Sequence, residues 1–167
     1  TKALGVGVAT TAIKRGEASP EVLAAAVASM TASNAPAAQA ALDAGATGAT
    51  DVTGFGLLGH LAKMAAASGV DAEIDVAAVP IPTGIRALAE AGIVPGGSVR
   101  NRDWVLPMVD AGGYGELDVL LLADAQTSGG LLFGAAPDAA AAAVAQLGPP
   151  AAVIGRVRTG TGRITLR

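Results

Sequence analysis

The chain of 167 residues contains no cysteine and very few aromatic side chains. The absence of cysteine excludes disulfides, thiolate metal sites and a cysteine nucleophile. Aromatic residues make up 2% of the chain, so few side chains are available to stack on the bases of a single-stranded nucleic acid. The net charge is −3, and lysine and arginine form no obvious stripe, which also argues against nucleic-acid binding. We therefore expect no nucleic-acid partner.

A long hydrophobic run is also missing. The longest apolar stretch, residues 139–145, is far shorter than the roughly 20 residues that a membrane-spanning helix needs. The opening residues 1–5 do not resemble a signal peptide and contain no start methionine. We expect a cytoplasmic protein without a membrane partner, and a chain that is a piece of a longer protein.

Alanine, valine, leucine and isoleucine supply most of the apolar residues, which make up 51% of the chain. This fraction is sufficient for the core of one domain of this length. No internal repeat divides the chain, so we expect residues 1–167 to form one domain. Helix and strand signals are mixed without strict alternation. This order predicts an α+β fold, with helices packed on one face of a mixed, mostly antiparallel sheet.

Helix signals are an N-cap, a proline in the first turn, apolar residues at helical spacing or a terminal glycine. One helix is predicted to begin after Ser19. Four further helices are predicted at residues 36–45, 55–68, 82–92 and 137–147. Segments rich in β-branched or apolar residues are predicted to be strands, at residues 4–13, 46–52, 70–79, 117–122 and 131–135. The last two strand candidates, 151–157 and 163–166, are predicted to form a closing hairpin.

The densest chemical signal is the segment TDVTGFGLLGH, which begins at Thr50 and leads from a strand end through a glycine-rich turn into a helix. Such a turn directs backbone N–H groups toward a helix N-terminus, where an anion is favoured. Asp51 supplies an oxygen ligand, Thr50 and Thr53 supply hydroxyls, and Gly54 and Gly56 form the turn. A carboxylate beside a phosphate is a usual way for a protein to hold Mg²⁺.

The same segment also has a purely structural interpretation, in which Asp51 caps the helix and the glycines only allow close packing. Its spacing differs from a Walker P-loop, because no Lys-Ser or Lys-Thr follows the last glycine, and it differs from G-x-G-x-x-G. Short glycine motifs often occur by chance. The residue pattern alone therefore leaves both interpretations open.

TDVTGFGLLGHL closely resembles the signature of the selenophosphate synthetases, also called selenide, water dikinases. DAQTSGGLL, which starts at Asp124, resembles that family's DPQTSGGLL with Ala125 in place of proline. TKALGVG at the start of the chain resembles TKPLGTG with departures at Ala3 and Val6, and PGGSVRN from Pro95 resembles PGGTxRN. Several motifs in one order are more specific than any single motif, and none of the departures affects an acid or a base. The chain is identified as a member of this family.

The resemblance implies the C-terminal half of an enzyme that converts ATP, selenide and water into selenophosphate, phosphate and AMP. It also implies the fold of the C-terminal domain of the aminoimidazole-ribonucleotide synthetases. In this family the N-terminal half carries the reactive cysteine or selenocysteine, its partner lysine, most of the ATP site and the homodimer contact. We therefore expect no catalytic residue in this chain.

Within this chain, the resemblance implies that Asp51 is a ligand of Mg²⁺ at the ATP phosphates. Beside it, we assign Thr50, Thr53, Gly54 and Gly56 to binding of the nucleotide. ATP and Mg²⁺ are thus the expected cofactors, shared with the N-terminal half, and selenide is the expected second substrate.

Two further hypotheses belong to other classes. The first is a related member of the superfamily, such as a thiamine-phosphate kinase or a hydrogenase-maturation protein, and the segment DAQTSGG argues against it. The second is a non-catalytic binding module that has kept the fold. An upstream reading frame with a cysteine- or selenocysteine-bearing domain would favour the synthetase over both.

Other residues outside the turn also have a functional or a structural interpretation. The segment from Gln126 to Gly129 either faces the cleft or forms a hairpin turn between two strands. Arg100 and Asn101 either contact phosphate or lie on a solvated loop. Asp124 is either a second cleft carboxylate or the start of a turn, and we favour the turn. His60 has no metal-ligating residue at helical spacing, so we do not expect it to bind a metal.

Overall fold

The computed structural model describes all residues from 1 to 167. The helices are α1 (Val6–Arg15), α2 (Pro20–Thr31), α3 (Ala35–Asp43), α4 (Gly56–Ser68), α5 (Ile85–Glu90), α6 (Gly96–Val105), α7 (Glu116–Leu122) and α8 (Pro137–Leu147). The strands are β1 (Ala49–Asp51), β2 (Val70–Ile74), β3 (Val109–Asp110), β4 (Leu131–Phe133), β5 (Gly155–Thr159) and β6 (Ile164–Leu166). The predicted α+β class is thereby confirmed.

The strands form two sheets rather than one. β1 and β4 form an antiparallel pair in which Asp51 is opposite Leu131. The second sheet has the strand order β3-β6-β2-β5. In it, β2 is antiparallel to β5 and parallel to β6, and β3 is parallel to β6. Antiparallel and parallel pairs are equal in number, so the sheet structure is mixed.

Two groups of buried apolar side chains form the core. The larger group lies around α4 and the four-stranded sheet and includes the fully buried Leu58, Leu122 and Ile164. The smaller group joins α1, α2 and α5 and includes Val8 and Leu121. Because consecutive leucines of α7 belong to different groups, α7 is the helix that connects them.

The first segment predicted to be a strand forms helix α1 instead, so that prediction is wrong. The acceptors for its first N–H groups come from a distant part of the chain. Val6 N–H donates to Oε1 of Gln126, and the N–H groups of Gly7 and Val8 donate to the carboxylate of Asp124. These tertiary contacts cap the helix, and they have no local signal in the sequence.

Residues 117–122, also predicted to be a strand, belong to helix α7, so this prediction is wrong as well. All residues from Val119 to Leu122 are buried, because α7 has apolar neighbours on several sides. A short, continuous apolar run is compatible with either a buried strand or a buried helix. Periodicity alone therefore cannot separate the two.

The predicted closing hairpin is wrong, because β2 lies between β5 and β6. The carboxylate of Asp71 in β2 accepts hydrogen bonds from the N–H groups of Thr161, Gly162 and Arg163. These bonds hold the segment between β5 and β6 at the start of β2. As a result, β6 runs parallel to β2 instead of returning along β5.

The predicted helices are confirmed as α2, α3, α4, α5 and α8, with ends that differ by a few residues. Ser19 caps α2 as expected, since its hydroxyl accepts a hydrogen bond from the N–H of Val22. Helix α6 was not predicted, because it begins with two glycines, which are poor helix formers. No helix of the structure combines the length and the apolar character that crossing a membrane requires.

The close contact between β1 and the segment after α7 predicts a strong effect at Gly129. A Cβ atom there would lie 1.7 Å from the carbonyl oxygen of Val52, so the backbone would have to move. We expect Gly129→Ala to lower the free energy of unfolding by about 1–3 kcal/mol or more, as measured by urea denaturation. Gly134→Ala is the matched control, since no heavy atom lies within 4 Å of its Cβ position. Equal stability of the two variants would contradict this packing.

Candidate functional site

The turn predicted from the motif TDVTGFG joins β1 to α4. β1 ends at Asp51, and α4 begins at Gly56. The N–H of Gly56 donates to the carbonyl of Thr53 at 3.0 Å, which closes the turn. The N–H groups of Gly54 and Phe55 donate to no group of the chain, and no side chain caps α4. The turn therefore presents free backbone donors at a helix N-terminus.

The two glycines of this turn have different surroundings. Gly56 has a φ of +67°, and a Cβ atom there would lie 2.4 Å from the carbonyl carbon of Ala123. At Gly54, no heavy atom lies within 4 Å of the corresponding position. Gly56 thus allows the backbone of α4 to approach the end of α7, whereas Gly54 faces open space.

Asp51 is exposed at the end of β1. Its carboxylate accepts no hydrogen bond and forms no ion pair within the chain. The interpretation of Asp51 as a helix cap is therefore wrong, since α4 has no side-chain cap. An exposed carboxylate in the same strand-to-helix connection as free N–H groups suits a divalent cation that also contacts an anion. The chain has no cluster of three or more His, Cys, Asp or Glu residues that could hold a metal, so any such cation would need further ligands.

The imidazole of His60 lies between the two threonines of the motif, a relation that the sequence analysis missed. The Oγ1 atom of Thr50 is 3.4 Å from Nδ1, and the Oγ1 atom of Thr53 is 3.1 Å from Nε2. His60 lies four residues after Gly56, about one helical turn into α4. That spacing is the signal by which the contact could have been found. The histidine holds the two hydroxyls next to the turn.

The second polar segment, QTSG, lies directly beside the turn. The N–H of Gln126 donates to the carbonyl of Thr53 at 3.0 Å. Thr127 and Ser128 are exposed, whereas the side chain of Gln126 is buried. The segment follows helix α7, so the interpretation as a hairpin turn between two strands is wrong. The structure thus brings the two motifs together, although the Gln126 side chain points into the core.

Asp124 is fully buried, and both interpretations offered from the sequence are wrong. Its carboxylate accepts hydrogen bonds from the N–H groups of Gly7 (2.9 Å) and Val8 (3.3 Å), the hydroxyl of Ser98 (2.7 Å) and Nε2 of Gln126 (3.1 Å). Burial raises the pKa of Asp124 above its ordinary value, and the four hydrogen bonds partly offset that effect. With these partners inside the core, the carboxylate serves the fold and not a ligand.

Arg100 and Asn101 lie on helix α6 rather than on a loop. Arg100 is exposed. The side-chain amide of Asn101 donates to the carbonyl of Gly54 at 2.8 Å and to the carbonyl of Ala123 at 3.1 Å. Asn101 is therefore hydrogen-bonded to the turn between β1 and α4.

Lys2 is a further residue that the sequence analysis missed. Its ammonium group donates to the carbonyls of Ser29 (2.9 Å), Ala32 (2.7 Å) and Ser128 (2.7 Å). Burial lowers the pKa of Lys2. The lysine thereby ties the C-terminal end of α2 to the QTSG segment.

The family described as AIR synthase related protein, C-terminal domain, matches residues 1–167. The chain belongs to this family. It is also similar to two proteins named selenide, water dikinase. It is 46% identical to the one from Geobacter metallireducens over 139 residues, which cover 82% of this chain and 40% of that protein. It is 44% identical to the one from Citrifermentans bemidjiense over 165 residues, which cover 97% of this chain and 48% of that protein. The domain thus spans about half the length of these curated relatives.

Two solved structures share the fold of this family member. The hydrogenase maturation protein HypE has a TM-score of 0.70 at 19% identity, with 99% of this chain and 47% of that chain covered. Thiamine-monophosphate kinase from Stenotrophomonas maltophilia has a TM-score of 0.63 at 22% identity, with 99% and 48% covered. At this level of identity the likeness establishes the fold alone. The expected architecture of the family's C-terminal domain is thereby confirmed.

His60 is the only histidine of the chain, so its titration can be followed by NMR without assignment of other imidazoles. Burial lowers its pKa, Lys63 lowers it further, and the charge of Asp51 opposes both effects. We expect a folded-state pKa below the value measured for the same chain in urea. The neutral imidazole is then favoured by folding, so its stability contribution is present above the ordinary pKa and lost as pH falls through the lowered value. A folded-state pKa equal to or above that in urea would contradict the contacts described.

Proposed function

We propose that this domain is the C-terminal half of a selenophosphate synthetase, an enzyme that converts ATP, selenide and water into selenophosphate, phosphate and AMP. Relatives named selenide, water dikinase support the proposal, since they are 41–46% identical over most of the chain. The observation that carries it is the exposed carboxylate of Asp51, which has no partner within the chain and precedes the free N–H of Gly54 by three residues. This arrangement suits a metal-bound phosphate.

Asp51 is the proposed Mg²⁺ ligand. A carboxylate that faces phosphates is repelled by them, and a divalent cation bound between the two removes the repulsion. Magnesium is usually held by one or two carboxylates together with phosphate oxygens, so one carboxylate from this domain fits a site shared with the N-terminal half. Bound Mg²⁺ would supply charge neutralisation at the transferred phosphoryl group.

The proposed contacts with the nucleotide come from Thr50, Thr53, Gly54 and Gly56. The threonine hydroxyls are held by His60, and the turn supplies the free N–H of Gly54. Gly56 contributes by its backbone conformation rather than by direct contact, because it packs on the end of α7. A solved structure of HypE is a complex with ATP, and it shares this fold.

The remaining parts of the proposal concern the whole enzyme. We infer that residues 1–167 form a single domain and that this half contains no catalytic nucleophile. The N-terminal half supplies the reactive cysteine or selenocysteine, the larger part of the ATP site and the homodimer contact. Selenide and ATP are the small-molecule substrates, and the proposed location is the cytoplasm.

One alternative is another ATP-dependent member of the superfamily, because the two solved structures of the same fold are a hydrogenase maturation protein and a thiamine-monophosphate kinase. Their identity to this chain is 19–22%, about half that of the selenide, water dikinases. The other alternative is a non-catalytic module. A module of this kind would also bind a ligand, so selenide-dependent AMP formation by the full-length enzyme is what separates it from the synthetase.

The isolated chain is expected to form no AMP when it is incubated with ATP, Mg²⁺ and selenide. Phosphoryl transfer depends on positioned phosphates together with metal charge, and one carboxylate and one turn do not supply both. The measurement is chromatography of AMP over time against a protein-free blank. Selenide-dependent AMP formation by the isolated chain would overturn the proposed division of labour between the halves.

In a full-length enzyme that contains this domain, Asp51→Asn is expected to lower selenide-dependent AMP formation roughly 100-fold or more. The substitution keeps the shape but removes the charge that would bind Mg²⁺. The thermal midpoint should move by only about 1 °C, because the carboxylate has no partner in the fold. Asp138→Asn, an exposed aspartate in the first turn of α8, is the control and should leave the rate unchanged. A normal rate in the Asp51 variant, with unchanged magnesium dependence, would remove Asp51 from the site.

A further inference from the structure

Asn101 is bonded to two separate backbone segments at once. Its side-chain nitrogen carries two hydrogens, and these serve the carbonyls of Gly54 and Ala123 at 2.8 and 3.1 Å. Gly54 belongs to the turn before α4, and Ala123 follows α7. The side-chain amide of Asn101 thus joins helix α6 to both the turn before α4 and the end of α7.

The hydrogen bond to Gly54 fixes the direction of a peptide group. In a trans peptide, the carbonyl of one residue and the N–H of the next point in opposite directions. The carbonyl of Gly54 points toward α6, so the N–H of Phe55 points away from α6. That N–H donates to no group of the chain, so it is one of the two free donors of the turn, together with the N–H of Gly54.

On the Gly54 side little else holds this peptide in place, whereas on the other side the ring of Phe55 lies near those of His60 and Trp104. Gly54 lies in open space, with no heavy atom within 4 Å of its Cβ position. Glycine adopts many backbone conformations at low energy, so if the carbonyl is released the Gly54–Phe55 peptide can tilt as far as the φ of Phe55, now −93°, allows. The bonds to the carbonyl of Thr53, from Gly56 and Gln126, hold the preceding peptide and not this one.

We propose that Asn101 is a positioning residue that orients the Gly54–Phe55 peptide so that its N–H donates to a phosphate oxygen of ATP. The inference rests on the proposed function only in naming the ligand. Both hydrogens of the Asn101 amide nitrogen are engaged by carbonyls, so this residue acts through the turn and does not donate to the phosphate itself. This distinguishes it from Arg100, which is exposed next to it in the sequence.

The test is calorimetric titration of MgATP into a full-length enzyme that contains this domain, with Asn101→Ala, Asn101→Gln and Asp103→Asn compared with the unchanged protein. Loss of the donor in Asn101→Ala is expected to raise the Kd about tenfold, the effect of one lost hydrogen bond to a charged group. Asn101→Gln keeps an amide and should give a smaller increase. Asp103→Asn, on the same helix but hydrogen-bonded only to Arg102, should bind as the unchanged protein does.

Calorimetry separates positioning from a loss of folded protein. Positioning predicts a weaker Kd at unchanged stoichiometry, whereas partial unfolding lowers the stoichiometry at unchanged Kd. An unchanged Kd in Asn101→Ala would overturn the proposal, whether the stoichiometry is unchanged or reduced.

The same protein samples are assayed for selenide-dependent AMP. ATP binding without selenide-dependent AMP would refute the proposed reaction, while the Kd of the Asn101 variants still decides the positioning. An unchanged protein that does not bind MgATP at all would contradict both.

Discussion

The buried carboxylate of Asp124 is the interaction on which the rest of the structure depends. It caps helix α1 through the N–H groups of Gly7 and Val8 and accepts a hydrogen bond from Ser98 of α6. Gly7 leaves the space it needs, since a Cβ atom there would lie 2.5 Å from the carboxylate. A buried carboxylate is costly unless it is paired and hydrogen-bonded. The carboxylate therefore enforces one arrangement of α1, α6 and the segment after α7.

The candidate site is built outward from this carboxylate along helix α6. Ser98 and Asn101 are three residues apart, so they lie on the same side of the helix. Ser98 binds the carboxylate in the core, whereas Asn101 reaches the turn at Gly54. The side chain of Gln126 binds Asp124 while its N–H binds the turn at Thr53. Gln126 and helix α6 therefore bond to both the core and the turn. These bonds hold the exposed, glycine-rich turn in one conformation.

The sequence predicted those parts of the fold whose cause is local. Helices α2 and α8 begin with prolines, and α2 has a serine cap in the preceding residue. Helix α1 was mistaken for a strand because its caps, Asp124 and Gln126, lie about 120 positions away in the chain. Helix α7 was mistaken because burial on several sides hides helical periodicity. The position of β6 depends on hydrogen bonds to Asp71, more than 90 residues earlier. In each case a tertiary contact outweighs local propensity.

At the candidate site, the motif TDVTGFG was sufficient to predict the turn and Asp51, but it did not show which residues hold the turn in place. The partners of the turn, Asn101 and Gln126, lie in other motifs, and a linear pattern does not show which motifs meet. What separates Asp51 from Asp124 is likewise invisible in sequence, where both are aspartates beside small residues. Asp124 receives four hydrogen bonds and is enclosed, whereas Asp51 receives none and is exposed. The unpartnered carboxylate and the free N–H groups of Gly54 and Phe55 belong to the same short connection between β1 and α4, and such groups suit a cation and an anion respectively. This is the basis for proposing Asp51 as one ligand of a metal–phosphate site, whose other ligands we propose come from the N-terminal half.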